Sequence, residues 1–150
     1  MTRYRLKTAT WYVVREGRDN SPRLLSAPGC AALLATDLAR SSDDDKEHMW
    51  TVLLNAKNHY LMHTEVGIGS QSASLAHPRE VFGPALREGA SSIILVHNHP
   101  SGDPTPSRED VRLTRQLAEV GNLLEVRLND HIIVGSGTWK WISLAQHGLL

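Results

Sequence analysis

Three features of the sequence predict an α/β fold in which helices cover both faces of a mixed sheet. Apolar runs of strand length alternate along the chain with segments of helical periodicity. The run Ser92–Val96 is almost continuously apolar, as in strands that are buried on both faces. A loop rich in proline and glycine follows this run directly, and a helical pattern begins beyond the loop. The predicted architecture is therefore a three-layer α/β/α domain.

The predicted elements follow from periodicity and from the residues that begin or end helices and strands. Pro78 suits the first turn of a helix, and Gly89 suits its C′ position. Gly121 and Asn122 predict the end of a later helix, and Asn129–Asp130 predicts a tight turn between two strands. The predicted strands are 11–14, 49–55, 59–68, 92–97, 123–128 and 131–134, the predicted helices are 30–40, 77–89 and 107–120, and residues 139–150 close the domain.

Composition limits the functions that the chain can have. The 150 residues carry 16 basic and 16 acidic side chains, so the zero net charge provides no general attraction to nucleic acid or anionic membranes. A basic segment at 1–23 and an acidic one at 43–47 are interpreted as solvated surface. The polar N-terminus and the lack of a long apolar run predict a soluble, cytoplasmic protein without a membrane segment. Cys30 is the single cysteine, which excludes a CxxC zinc site, and its apolar neighbours predict a core thiol.

The loop after the buried strand concentrates residues that bind metals. His97 and His99 are two residues apart, Ser107 follows eight residues later, and Asp110 lies three beyond that, on the first turn of the predicted helix. Two neutral imidazoles and one carboxylate leave a fourth tetrahedral position open, which is the ligand count of a catalytic zinc. Such an ion polarises a carbonyl and lowers the pKa of a bound water. The spacing thus predicts a zinc-hydrolase site at the end of a core strand.

Structural interpretations of the same residues stay open at this point. Ser107 and Asp110 have the spacing of a capping box that only fixes a helix start. The prolines and glycine of 100–106 suit any rigid loop. A zinc deaminase site is excluded because it needs two further cysteines. The contiguous letters HNH do not make an HNH nuclease, whose residues are spread over a ββα unit. His59 and His63 share a strand face and could bind a metal ion, although this spacing is more typical of an exposed pair.

The pattern His-x-His-x7-Ser-x2-Asp at 97–110 resembles the signature of JAMM, or MPN+, metalloprotease domains. The longer string HNHPSGDP at 97–104 is similar to the bacterial RadC branch of the JAB domains, as are 54–58, 77–81 and 130–135. The resemblance covers about residues 47–150 and implies a cytidine-deaminase-like JAB/MPN fold. Residues 1–46 are then an N-terminal extension packed on the same domain. Many members of this branch carry a helix-hairpin-helix domain, so the chain resembles a short stand-alone form.

The resemblance also implies roles for individual residues. His97, His99 and Asp110 are the expected Zn²⁺ ligands, and Ser107 is expected to hydrogen-bond the developing oxyanion or the metal-bound water. Family members place a glutamate general base on an earlier strand, and Glu65 is the residue predicted to fill this role. Glu80 is the competing candidate, although its position at a helix start suits the helix dipole alone. His131 has two open interpretations, a cleft residue and a structural one.

The leading functional hypothesis is a zinc-dependent hydrolase that cleaves peptide or isopeptide-linked protein substrates. One alternative is a binding module associated with DNA repair, which the family name suggests and the neutral charge does not support. Another alternative is a zinc-stabilised interaction domain without turnover. Trp50, Trp139 and Trp141 suit a homodimer surface as well as a core.

Overall fold

The computed structural model describes residues 25–43, 45–69 and 76–150. Its elements in chain order are α1 (Pro28–Arg40), β1 (Glu47–Leu54), β2 (Tyr60–Gly69), α2 (Pro78–Arg87), β3 (Ser92–His99), α3 (Arg108–Leu124), β4 (Arg127–Gly135) and β5 (Trp141–Ser143). The strands form one sheet in the order β2-β1-β3-β4-β5. The predicted strand at 11–14 lies outside the described residues.

The sheet is mixed, as the sequence predicts. The pair β3–β4 is parallel, and the pairs β1–β2, β1–β3 and β4–β5 are antiparallel. The crossover between the parallel strands is made by the long loop and α3, because parallel neighbours cannot be joined by a tight turn. Consequently the loop leaves the sheet at the carboxyl end of its central strand, which is a common ligand site in α/β folds.

Helices cover both faces of the sheet and bury two separate apolar clusters. On the first, which we call the α1 face, Ala35 and Ala39 of α1 pack against a cluster that includes Trp50, Ile94 and Val96. On the second, the α3 face, Phe82 of α2 and Leu117 of α3 pack in one cluster with the strand residues Met49, Ile93 and Leu95. The predicted three-layer α/β/α architecture is confirmed.

Two predicted boundaries near the C-terminal half are wrong. Helix α3 does not stop at Gly121 but continues to Leu124 and ends at Glu125, which has a left-handed φ of 56°. A side chain at Gly121 would meet the ring of Phe82 and the backbone oxygen of Val126, so close packing explains this glycine. Residues 129–130 form no turn, because β4 runs through them with a bulge between its pairs to Ile93 and Ile94.

Some of the other predictions are confirmed, and others are wrong. Helix α1 and helix α2 lie where predicted, and Gly89 has the expected positive φ of 64°. Cys30 is exposed on α1, so the predicted core thiol is wrong. Trp50 is buried in the α1 face, whereas Trp141 on the edge strand β5 remains 37% exposed. Within the described ranges, no helix combines the length and apolar character that crossing a membrane requires.

Candidate active site

His97 and His99 are the alternate residues at the carboxyl end of β3, so their side chains lie on the same face of the sheet. Ile93 and Leu95 precede them at the same alternation and pack on the α3 face. Both imidazoles therefore point toward α3, with ring centroids 4.7 Å apart. The two histidines, which the sequence predicts in one site, therefore lie side by side in the structure.

The ring of His99 is oriented by the loop. Its Nδ1 lies 2.8 Å from the backbone oxygen of Asp103, and a carbonyl can only accept, so Nδ1 carries a proton. In the neutral ring the Nε2 lone pair then points at Asp110 Oδ2, 3.3 Å away. Two lone pairs that face each other at this distance need a positive charge between them, either a proton or a metal ion.

His97 is 1% exposed, and neither of its ring nitrogens has a hydrogen-bond partner among the described residues. Burial lowers the pKa of His97 to about 3, so the ring is neutral near pH 7. Its Nδ1 lies 3.7 Å from Asp110 Oδ1, beyond hydrogen-bond distance. Buried imidazole nitrogens are normally paired, and a metal ion would satisfy one of them.

Asp110 and Ser107 form the capping box that the sequence leaves open as an alternative. The Ser107 amide donates to Asp110 Oδ2 at 2.7 Å, and the Asp110 amide donates to Ser107 Oγ at 3.1 Å. Burial raises the pKa of Asp110, but the neighbouring His99, His97 and Ser107 outweigh it and hold that pKa well below its usual range. The cap and the metal-ligand role are compatible, because the cap fixes a charged carboxylate beside both histidines.

Glu47, at the first position of β1, completes the cluster. One carboxylate oxygen of Glu47 and one nitrogen each of His97 and His99 all lie within 4.8 Å of one another. Burial and the charge of Asp110 raise the pKa of Glu47, although His99 opposes this shift. Glu47 belongs to the acidic run 43–47 that the sequence predicts as solvated surface, so for this residue the prediction is wrong. Alternation within β1 places Glu47 on the same face as Met49, and the pairing of Met49 with His97 brings that face to the histidines.

The structure corrects the predicted position of Glu65. Glu65 pairs across the strands with Trp50, and Trp50 pairs with Val96. Trp50 and Val96 both pack on the α1 face, and directly paired residues share a face, so Glu65 lies on the opposite side of the sheet from His97 and His99. Its carboxylate instead contacts His48 Nδ1 at 2.5 Å. Of the two glutamates, Glu47 is the one that reaches the histidines.

The donor set fits Zn²⁺ better than a hard cation such as Mg²⁺. Two imidazole nitrogens and one or two carboxylates are typical zinc ligands, whereas magnesium takes oxygen ligands almost exclusively. One of the two unpartnered ring nitrogens of His97 and the lone pair of His99 Nε2 are the donors that such an ion could bind.

The model of the RadC-like JAB domain matches residues 26–149. The chain belongs to the RadC-like JAB domain family. This membership confirms the resemblance that the motif at 97–110 carries. The match begins before residue 47, so it includes α1, which the sequence placed in an N-terminal extension.

Curated relatives of the RadC-like JAB chain are named UPF0758 proteins. That of Caldanaerobacter subterraneus subsp. tengcongensis is 54% identical over 103 residues, covering 69% of this chain and 43% of the relative. That of Geotalea uraniireducens is 50% identical over 108 residues, covering 72% and 46%. That of Chlorobaculum tepidum is 50% identical over 111 residues, covering 74% and 49%. The chain thus spans less than half the length of these relatives.

His131 belongs to the layer beneath the RadC-like JAB site. It is fully buried on β4, and its ring stacks on His97 with centroids 5.6 Å apart. Thr114 Oγ1 donates its only proton to the Asp110 carbonyl at 2.6 Å. His131 Nδ1, 2.7 Å from Thr114 Oγ1, is therefore the donor in their contact. This chain of hydrogen bonds links the His131 ring to the helix turn that carries Asp110. Of the two interpretations that the sequence leaves open for His131, these contacts favour the structural one.

Proposed function

We propose that this chain is a zinc-dependent hydrolase of the metallopeptidase type, acting on peptide or isopeptide amides. The observation that carries the proposal is the convergence of the Glu47 carboxylate with His97 and His99. Family membership supports a metal-dependent hydrolase in general, and the donor chemistry supports zinc in particular. The substrate class is part of the proposal.

We assign different roles to the two carboxylates, because their environments push their pKa values apart. Asp110 is held ionised by its neighbours, which suits a permanent metal ligand beside His97 and His99. Glu47 has a raised pKa and remains half-buried, which suits a group that accepts and returns a proton. In other hydrolases, too, the two carboxylates of a pair take different roles because their environments separate their pKa values.

A bound zinc ion would polarise the amide carbonyl and acidify a water molecule. Glu47 accepts the proton of the attacking water and later delivers it to the leaving amine nitrogen. Ser107 stays exposed at the mouth of the site, and its cap uses Oγ only as an acceptor. Its hydroxyl hydrogen therefore remains available to donate to the developing oxyanion of the substrate. His97 and His99 are both held at the end of β3, so they keep the reacting groups in fixed positions relative to one another.

The experiment compares three variants after removal of metal with a chelator and reloading with one equivalent of zinc. Glu47→Gln should keep stoichiometric zinc and lose hydrolysis of fluorogenic peptide and isopeptide substrates by at least a hundredfold. Asp110→Asn should lose the zinc itself. Glu65→Gln is the matched control, since its carboxylate lies on the opposite face, and both zinc and activity should remain near wild type.

Each other outcome has a definite meaning. Loss of zinc in Glu47→Gln would make Glu47 a ligand and remove its role as the base. Zinc binding by the wild type without turnover on any amide substrate would favour the zinc-stabilised interaction domain. A wild-type protein that takes up no divalent metal would refute the proposal as a whole.

A further inference from the structure

Asn98 lies between the two histidines of β3, and its side chain points the other way. Its neighbours in the alternation, Ile94 and Val96, pack on the α1 face, and Asn98 itself is 0% exposed. A fully buried amide has to be satisfied by specific partners, because leaving it unpaired costs free energy. The groups to which the Asn98 amide hydrogen-bonds therefore indicate its role.

The amide of Asn98 takes the two backbone groups that flank Glu47. Its Oδ1 accepts from the His48 amide at 2.6 Å, and its Nδ2 donates to the Lys46 carbonyl at 3.0 Å. A second Nδ2 contact runs to Ser136 Oγ at 3.1 Å, beyond the end of β4. The Asn98 side chain therefore fixes the backbone on both sides of Glu47. It ties that backbone to β3, which carries Asn98, and to Ser136 at the end of β4.

These bonds replace the backbone ladder between β1 and β3. The antiparallel register of these strands ends at the pair Met49↔His97. Continued in the same register, the next pairs would be His48 with Asn98 and Glu47 with His99. Directly opposed residues have Cα atoms only about 4.5–5.5 Å apart, which would press Glu47 against His99. The Asn98 amide instead supplies the donor and acceptor that bond the backbone at Lys46 and His48, as a peptide group would.

We propose that Asn98 is a positioning residue that sets the separation between the Glu47 carboxylate and the two histidines. It acts through the backbone of 46–48 and touches neither metal nor substrate. The inference rests on the proposed function, in which Glu47 works as the proton carrier. No other natural side chain supplies one acceptor and two donors at this length, since aspartate lacks the donors and glutamine adds a methylene.

The first measurement is structural and needs no activity. In metal-free protein, hydrogen exchange of the His48 amide, followed by NMR, should speed up about tenfold or more in Asn98→Ala. Exchange at Val52 and Leu53, in the middle of β1, should stay unchanged. Ser136→Ala is the matched control, because it removes an Asn98 contact without touching β1, and the His48 amide should remain protected. Unchanged protection of His48 in Asn98→Ala would overturn the proposal.

The second measurement asks whether the position of Glu47 changes at the metal. Protein titrated with Co²⁺ should bind one equivalent in wild type and in Asn98→Ala, because His97, His99 and Asp110 are retained. The visible spectrum of the Co²⁺ form should shift in Asn98→Ala toward that of Glu47→Gln. A spectrum identical to wild type, together with unchanged kcat, would refute the positioning role.

Kinetics then separate positioning from general damage. With zinc and a substrate found for the wild type, Asn98→Ala should lower kcat by about tenfold to a hundredfold at constant KM. The double variant with Glu47→Gln should be no slower than Glu47→Gln alone, since both changes act through one group. Additive losses would contradict the proposal. If Asn98→Ala does not fold, Asn98→Ser, whose hydroxyl reaches one partner at a time, takes its place in all three measurements.

A failure of the proposed function gives a different pattern. If the wild type lacks hydrolytic activity, the hydrogen-exchange and Co²⁺ results still decide whether Asn98 holds Glu47. If the wild type is active and Glu47→Gln is inactive, an Asn98→Ala protein with wild-type kcat overturns only the inference about Asn98.

Discussion

The Nδ1 atom of His131 lies 2.7 Å from Thr114 Oγ1, inside the core and directly beneath the candidate metal site. Because the Thr114 hydroxyl donates to the Asp110 carbonyl, this contact connects a β4 imidazole to the carboxylate-bearing turn of α3. Groups of this kind, which hold ligands in place, are often worth ten- to a hundredfold in metal affinity.

Thr114→Val should therefore weaken zinc binding by about ten- to a hundredfold, because it removes the hydroxyl while keeping the shape. It also leaves the buried Nδ1–H of His131 without its acceptor, which should cost about 1–3 kcal/mol of unfolding free energy. Chelator competition measures the zinc affinity, and urea unfolding measures the stability.

The control is Thr36→Val in α1, where Thr36 Oγ1 makes the same i to i−4 bond to Ala32 at 2.8 Å. This variant should leave zinc affinity unchanged. An equal loss of zinc affinity in both variants would show that the link through His131 has no role.

The metal-free protein should become less stable as the pH falls from 6.5 to 4. Burial lowers the pKa of His131 to about 4, whereas an unfolded histidine titrates near 6.5. Between these values the unfolded state binds the extra proton, so acidification favours unfolding. The contribution of His131 amounts to about 2 kcal/mol between pH 7 and pH 5.

Urea unfolding in the presence of a chelator at these two pH values tests this expectation. His131→Gln, which keeps a side-chain donor for Thr114, should lose about 2 kcal/mol less than wild type over the same interval. A pH dependence identical to that of the wild type would mean that His131 is protonated in the folded protein.

Gly135→Ala should displace the histidine loop and weaken metal binding. A Cβ at Gly135 would overlap the carbonyl oxygen of Gly102 and lie 2.6 Å from its carbon, both of them backbone atoms. The same segment holds His99, whose carbonyl accepts from the amides of Gly102 and Ser136. Overpacking of this kind costs about 1–3 kcal/mol.

Thermal unfolding and zinc titration measure the two effects of this substitution. Gly29→Ala is the matched control, since a Cβ there meets nothing within 4 Å, and it should be neutral or slightly stabilising. Wild-type zinc affinity in Gly135→Ala would show that the loop tolerates the shift.

Zinc should stabilise the folded chain by mass action. At a free concentration of a hundred times Kd, the gain in unfolding free energy is about 3 kcal/mol. His99→Ala removes the ligand that faces Asp110 Oδ2, so its stability should not respond to zinc. Denaturant unfolding with and without zinc makes the comparison, and an equal gain in His99→Ala would exclude His99 as a ligand.

The local parts of the site could be predicted from the sequence. His97 and His99 share a face because a strand alternates, and Ser107 meets Asp110 because a helix start brings residues three apart together. Both relations depend only on neighbours along the chain. The RadC-like string at 97–104 adds specificity to the same short segment.

The glutamate could not be predicted in this way, because its position depends on the register between strands. The residues around Glu65 fit a strand as well as those around Glu47 do. Only the pairs Trp50↔Glu65 and Met49↔His97 show on which face of the sheet each carboxylate lies. A shift of one residue in a strand exchanges its two faces. The acidic residues before Glu47 also give the start of β1 the composition of a solvated turn.

The bridge from Asn98 to Lys46 closes a separation of 52 residues, and this has a consequence for the order of folding. The histidines, their loop and the cap of α3 are close in sequence and can associate early, whereas Glu47 joins them only after β1 has paired with β3. Interactions that form late in folding mainly slow unfolding when they are strengthened. We therefore expect the contacts of 46–48 to govern how long the assembled site persists, more than how fast the chain first reaches it.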